Sequence, residues 1–242
     1  MERDAQEYED LAKPQYISGC NFVNEVNIFP GARVLDMGCG TGSVTKHIGD
    51  IAGSEGQTVG VDPDAARIKI AEEKYKEQGN LQFHVGNSVD GFPHDNEPYY
   101  DFHVSTNAFH WFPDEHKRLY IQKAYQSLKP GGKLSILCRR HAGPVYAEEF
   151  ERCNYHAMTQ DEYEKLFQDV GLFSNVIVKQ ADYVTHFKSY EAFKRWFKAS
   201  AQRDLDDVDP VIAKEVIIDR LTFHDDGGVD NKLIRVSITA RK

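Results

Sequence analysis

The 242 residues carry 29 basic and 38 acidic side chains, a formal net charge of -9, and 40% apolar residues. That is enough apolar material for one domain with a normal core and a small cap, while an acidic chain is a poor partner for nucleic acid or an anionic membrane. No run approaches the ~18–20 apolar residues that span a bilayer; the charged start Met1-Glu2-Arg3-Asp4 is unlike a secretion signal, and Cys20, Cys39, Cys138 and Cys153, with neither a C-x-x-C pair nor metal-ligand spacing, read as reduced thiols of a cytoplasmic protein.

In chain order, residues 5–27 place Tyr8, Leu11 and Tyr16 near helical spacing, with Pro14 set to break the segment in two. Gly31 precedes a first strand, 33–37, which runs through Val34 and Leu35 to Asp36. Glycines then stand at alternate positions, Gly38, Gly40 and Gly42, before a helix that begins at Ser43. A buried strand, a tight glycine turn and a helix N-terminus make a nucleotide site, because glycine permits the turn and lets a ligand approach the backbone. The dinucleotide pattern G-x-G-x-x-G needs glycine at 43, and Ser43 fails it. The second strand, 58–62, ends in Asp62, placed to accept ribose hydroxyl hydrogen bonds. Asp62-Pro63-Asp64 also opens helix 64–78 as a cap.

Leu81–Val85 is the third strand and leads to Gly86-Asn87-Ser88, with Asp90 nearby. The fourth, Tyr100–Ser105, precedes Thr106-Asn107-Ala108-Phe109-His110-Trp111-Phe112-Pro113-Asp114. Helix 114–128 stops at Lys129-Pro130-Gly131-Gly132, and Lys133–Cys138 is the fifth strand. Strands alternating with helices in this way require a parallel sheet covered on both faces. Residues 139–159 carry no clear pattern. A helix over 160–170 ends at Gly171, and strands follow at 176–184 and 232–240. Between those strands lies an insertion, about 185–230, with two amphipathic helices. The first, 189–202, shows Tyr190, Phe193, Trp196 and Phe197; the second, 210–221, shows Ile212, Val216, Ile217 and Leu221. An aromatic helix at that place can line a substrate pocket.

The Asp36–Gly42 turn, Asp62 and the Leu128-Lys129-Pro130-Gly131-Gly132 turn before an apolar strand resemble the class I S-adenosylmethionine-dependent methyltransferases. The resemblance implies an α/β Rossmann-like fold: a seven-stranded, mostly parallel sheet in the order 3-2-1-4-5-7-6, helices on both faces, strand 7 antiparallel, and a helical cap. One domain would span 1–242, with 1–30 over the active site, 31–140 as the cofactor-binding core and 185–230 as the cap. It implies S-adenosyl-L-methionine as cofactor. Asp36 would face its amino end, backbone at Gly38, Cys39 and Gly40 would lie alongside, and Asp62 with Pro63 would hold the ribose. Asn87 or Ser88 would serve at the adenine edge, where the pattern usually has an acid, and Asn107 completes the set.

Phe109–Asp114 resembles the His-Trp or Gln-Trp element of small-acid carboxyl methyltransferases, including those acting on juvenile hormone acid, trans-aconitate and malonyl carrier protein. In the first of these an N-terminal Gln and this Trp hold the substrate carboxylate, and by position Gln15 and Trp111 match. The implied reaction is O-methylation of a carboxylic acid, which needs no base because the acid is already ionised. Two alternatives stand beside it: methylation of a small amine or phenol with His110 as general base, and a non-catalytic S-adenosylmethionine-binding protein. The expected partner is a small-molecule acceptor, with the chain a monomer or weak homodimer. His103, His116 and His141 lack ligand spacing, so no metal is expected.

Overall fold

The computed structural model describes residues 13–140, 155–201 and 204–242. Short, apolar strands that are each buried on both faces dictate the architecture. In β1 (Arg33–Met37) every residue after Arg33 is buried, and in β2 (Gln57–Asp62) every residue after Gln57. Such strands are stable only between two helical layers. The layers come from α2 (Ser43–Ala52), α3 (Ala65–Tyr75) and α4 (Asp114–Ser127), which alternate with β3 (Leu81–Val85), β4 (Tyr100–Thr106) and β5 (Leu128–Arg139). The cap of α3 is Asp64 and not Asp62: Asp64 accepts from the backbone N–H groups of Ala66 and Arg67 at 2.9 and 3.4 Å.

The sheet order is β3-β2-β1-β4-β5-β8-β6, and β8 (Val229–Arg241) runs antiparallel between β5 and β6 (Ser174–Phe187). The expected order is therefore the observed one. An eighth strand is added: β7 (Leu221–Phe223) pairs with β8. It takes the edge of β8 that β5 leaves open, because β5 ends at Arg139 opposite Arg235 while β8 extends back to Val229. The β6–β8–β7 extension thus overruns the C-terminal edge of the parallel strands.

Pro14 is the second residue of the described helix α1 (Lys13–Val26), and in a first turn proline's missing N–H costs no hydrogen bond. Residues 5–12 of that expected helix lie outside the described residues. The second insertion helix is not continuous. Residues 210–221 form one α turn (Pro210–Ile212), a π turn (Ala213–Ile217) and a 3-10 turn (Ile218–Arg220), and Leu221 already belongs to β7. The β-branched run Val216-Ile217-Ile218 disfavours a regular helix. The first insertion helix, α6 (Tyr190–Ala201), is close to its expected bounds. The remaining helix, α5 (Gln160–Val170), carries a Thr159–Glu162 capping box and ends at Gly171 with φ 67°.

Phe187, Phe193, Trp196, Leu205, Val208 and Ala213 form a satellite core on the sheet extension. Phe193 is fully buried there, so the aromatic stripe of α6 serves mainly as packing. Helix α1 closes on α2 through Gly19, whose added Cβ would stand 2.8 Å from Val44 Cγ2. That close approach brings the N-terminal helix over the ends of β4 and β5.

Candidate active site

The turn after β1 is tight. Gly38, Gly40 and Gly42 have φ of 78°, 57° and 82°, a region that L side chains rarely adopt. Gly38 and Cys39 both donate backbone N–H to Val61 O, at 2.7 and 3.0 Å, which ties the turn to β2. A Cβ on Gly38 would lie 2.2 Å from Ala108 Cβ. Gly38→Ala is therefore expected to cost about 2 kcal/mol through overpacking and left-handed strain, read as a Tm lowered by roughly 4–8 °C. Adding Ala108→Gly should recover the clash component but not the strain. An unchanged Tm in the single variant would mean that the turn can open there.

Asp36 ends this strand fully buried. Thr45, in the first turn of α2, donates its hydroxyl to Asp36 Oδ2 at 2.7 Å, while Asp36 Oδ1 is buried without a partner among the described residues. Burial pushes the carboxyl up to about 7, opposed by the Thr45 hydrogen bond and reinforced by the charge of Asp62. Asp62 accepts from Gly40 N–H at 2.9 Å and from Asp64 N–H at 3.0 Å, one bond to each oxygen. Burial raises its pKa too, against the lowering effect of Arg67. Cys39 turns its side chain into the core with Ile68, Ala71 and Phe83, so only its backbone is available to a ligand, and burial pushes its thiol well above the ordinary range.

Asn87 spends its side chain on its own loop: Oδ1 accepts from Val89 and Asp90 N–H, and Nδ2 donates to Asp90 Oδ2 at 2.6 Å. Ser88 is buried beside it, and Pro63 is exposed at the end of β2. Asn107 takes a left-handed φ of 57° at the end of β4, and its Nδ2 donates to the Gln15 carbonyl at 3.4 Å.

The residues after β4 face a different neighbourhood. Phe109–Trp111 form a 3-10 turn. His110 is buried; Arg139 N–H reaches its Nδ1 at 3.4 Å, which places the proton of the neutral ring on Nε2. Burial, then the charges of Arg139, Lys117 and Arg235, hold its pKa well below the usual histidine value. The Tyr155 ring lies 5.2 Å from that of Trp111 and 5.4 Å from that of His110. Arg139 hydrogen-bonds the Tyr155 side chain and stands 5.3 Å over the Trp196 ring. Gln15 is joined to α6: its Oε1 accepts from Trp196 Nε1 at 2.8 Å, and its Nε2 donates to Ser200 Oγ at 2.7 Å.

Comparison with known proteins places this geometry. Residues 34–132 match the model of the methyltransferase domain family. The chain is 32% identical over 123 residues to the putative methyltransferase 235L of Invertebrate iridescent virus 6, covering 51% of this chain and 43% of the other. It is 30% identical over 133 residues to the ubiquinone/menaquinone biosynthesis C-methyltransferase UbiE of Ectopseudomonas mendocina, with 53% and 50% covered. Residues 34–132 are thus similar to a methyltransferase domain, and the sheet around them has the Rossmann-like methyltransferase fold. The chain spans about half the length of these two relatives. Its fold is that of the YcgJ protein of Bacillus subtilis, with a TM-score of 0.68 at 16% identity over 93% of this chain and 98% of the other.

The methyltransferase turn fits its cofactor on chemical grounds. The partnerless Asp36 oxygen suits an ammonium group, and the lone pairs Asp62 keeps beyond its two backbone bonds suit hydroxyl donors. The structure brings Asp36, Gly38, Gly40 and Asp62 together in one turn and sets His110 and Trp111 beside Tyr155. It ties the Gln15 amide to α6, Oε1 accepting from Trp196 and one Nε2 hydrogen going to Ser200, which leaves a single N–H donor. Thr45, Tyr155, Arg139 and Arg235 were missed in the sequence. The signal for Arg139 was an Arg pair directly after an apolar strand; the others had no local signal.

Elsewhere, the expected structural role of His103 agrees with its position. It is fully buried, hydrogen-bonded to Ser127 at 2.9 Å, and pushed by burial down to about 3. His141 and Cys153 lie outside the described residues. Among the described residues, His186, His224 and Asp230 set one ligand atom each within 4.8 Å of one another, a donor set that could hold a divalent cation. Both rings bond the Asp230 carboxylate, at 2.8 and 3.1 Å. No helix of the described residues is long and apolar enough to cross a membrane.

Proposed function

We propose that the protein transfers the methyl group of S-adenosylmethionine to the carboxylate of a small organic acid, under a cap made of α1 and the 185–230 insertion. The observation that carries this reading is the state of His110. A buried imidazole flanked by three cations, with its acceptor nitrogen already facing a backbone N–H, is a weak base. An acceptor at this mouth must then arrive already deprotonated. Carboxylic acids, with pKa roughly 4, do so; phenols near 10 and most amines do not. The alternative that uses His110 as general base is disfavoured for the same reason.

The domain's own contributions are positioning and exclusion of water. Bound S-adenosylmethionine supplies a sulfonium methyl, which has a good leaving group. Asp36 and Asp62 would hold the cofactor's two polar ends. The half-buried Trp111 indole N–H is a neutral donor that can orient a carboxylate without cancelling its charge. Gln15 supports the site through α6: its bonds to Trp196 and Ser200 tie the two cap elements together.

Turnover against a panel of small acids tests the reaction, and a chain that binds cofactor yet methylates no acid would refute it. Trp111→Phe keeps most of the ring and removes the donor. It should lower kcat/KM by about 1.5–2 kcal/mol, roughly 10- to 30-fold, with cofactor affinity unchanged. At saturating cofactor the rate should be flat from pH 6 to 8. A limb near neutrality that disappears in His110→Ala would instead favour a base-dependent acceptor.

A further inference from the structure

We infer that the acceptor carries a second anionic group, held by Arg139 and Arg235 at the cap side of the site. The inference rests on the carboxylate reading above and deepens it. Arg139 and Arg235 are direct cross-strand partners on β5 and β8, so both side chains leave the same face of the sheet. Like charges placed directly opposite are destabilising. Neither makes an ion pair with a carboxylate among the described residues, although the chain as a whole is acidic. The neighbours they do have are aromatic: the Arg235 guanidinium lies 3.2 Å over the Tyr183 ring, and Arg139 stands 5.3 Å over that of Trp196. Arg235 Nε is buried with no hydrogen-bond partner among the described residues. An uncompensated, half-buried pair of guanidiniums with a free donor is a ready receptor for a carboxylate or phosphate, which guanidinium binds in a bidentate manner.

Their place in the site decides which anion they take. A chain of contacts runs from Asn107 to Gln15, Trp196, Arg139, Tyr155 and Trp111. Asn107 and Trp111 follow β4, beside the proposed methyl position; Arg139 is linked to Trp111 through Tyr155, and Arg235 stands opposite Arg139 on β8. A guanidinium on the reacting carboxylate would drain its nucleophilicity, whereas the neutral indole of Trp111 would not. The division of labour follows: Trp111 orients the oxygen that is methylated, and the arginine pair anchors the far end.

The test uses the full chain saturated with S-adenosylhomocysteine. Calorimetry compares aliphatic α,ω-dicarboxylic acids with monocarboxylic acids of the same length, and with the same acids carrying a terminal phosphate. The expected result is at least tenfold tighter binding of one dianionic series than of the monoacids, the favoured series telling carboxylate from phosphate. Arg235→Gln and Arg139→Gln should each abolish that preference while leaving monoacid and cofactor affinities unchanged, and Arg235→Lys should restore part of it. Thermal melting of each variant identifies any that fails to fold, and the other then carries the test. No preference for a second anion in the native chain, or equal losses for mono- and dianions in both arginine variants, would overturn the inference. Arginine-dependent binding of dianions without methylation of any acid would leave this subsite standing and remove the carboxyl-transfer reading.

Discussion

Raising the pH from 6 to 8 is expected to tighten binding of S-adenosylhomocysteine to the free protein, steeply below pH 7 and little above it. The cause is Asp36. In the cofactor-free fold burial holds its carboxyl up to about 7, far above the ~3.9 of an unfolded chain. The folded state therefore binds the proton more tightly than the unfolded state. The group's stabilising contribution is full below pH ~4 and is lost as pH rises through 7. A cofactor that presents an ammonium to the partnerless Oδ1 needs the ionised form, so binding must expel the proton. Affinity should rise by up to about tenfold per unit below pH 7 and level off above it. Calorimetry in buffers of different ionisation enthalpy should show release of almost one proton at pH 6 and almost none at pH 8. Asp36→Asn keeps an oxygen for the Thr45 hydroxyl but has no charge to offer. Its profile should be flat, with affinity at pH 8 lowered by about 3 kcal/mol, a factor of roughly 150. The same variant should stabilise the cofactor-free protein at pH 8, where the native carboxylate is buried and ionised. A native profile without proton release would show that Asp36 is not where the ammonium sits.

Asp62→Ala is expected to do comparable damage by a different route. Each Asp62 oxygen holds one backbone N–H, from Gly40 in the glycine turn and from Asp64 at the start of α3. Removing the carboxylate leaves two buried donors unpaired and removes the acceptor proposed for the ribose. Hydrogen bonds to a charged group are each worth about 1.5–3 kcal/mol. The loss of cofactor affinity should be on the order of 3 kcal/mol, roughly 150-fold. Asp62→Asn keeps one acceptor oxygen and should retain part of the affinity and most of the thermal stability. If Asp62→Ala melts early yet binds S-adenosylhomocysteine as the native chain does, Asp62 is a structural latch and the ribose lies elsewhere. The pH signature separates the two aspartates, since only the Asp36 variant should abolish proton release.

The cofactor half of the molecule was legible because its rules are local. A positive φ strongly favours glycine, and Gly38, Gly40 and Gly42 stand at three such places within five residues. An apolar strand followed by a helix repeats along the chain, and the Asp62-Pro63-Asp64 opening supplies the cap of one such helix, through Asp64. The position of the last strand between the fifth and sixth came from resemblance, because strand order depends on contacts far apart in sequence.

Local rules also produced the errors. A helical stripe over 210–221 was a correct reading of periodicity, yet a β-branched run and the open edge of β8 won those residues for a π turn and a strand. The acceptor side was the least legible. Gln15 has the donor chemistry for a carboxylate, but which group uses that donor depends on where residue 200 lands, and Ser200 takes it. Arg139 and Arg235 are 96 residues apart and become neighbours only because β8 pairs antiparallel with β5. Backbone conformation and capping are set by residues within a turn or two of one another, so the amino-acid order states them directly. The basicity of His110 comes from burial and from the cations of Arg139, Lys117 and Arg235, two of them delivered by other strands, so it is set only once the sheet has closed.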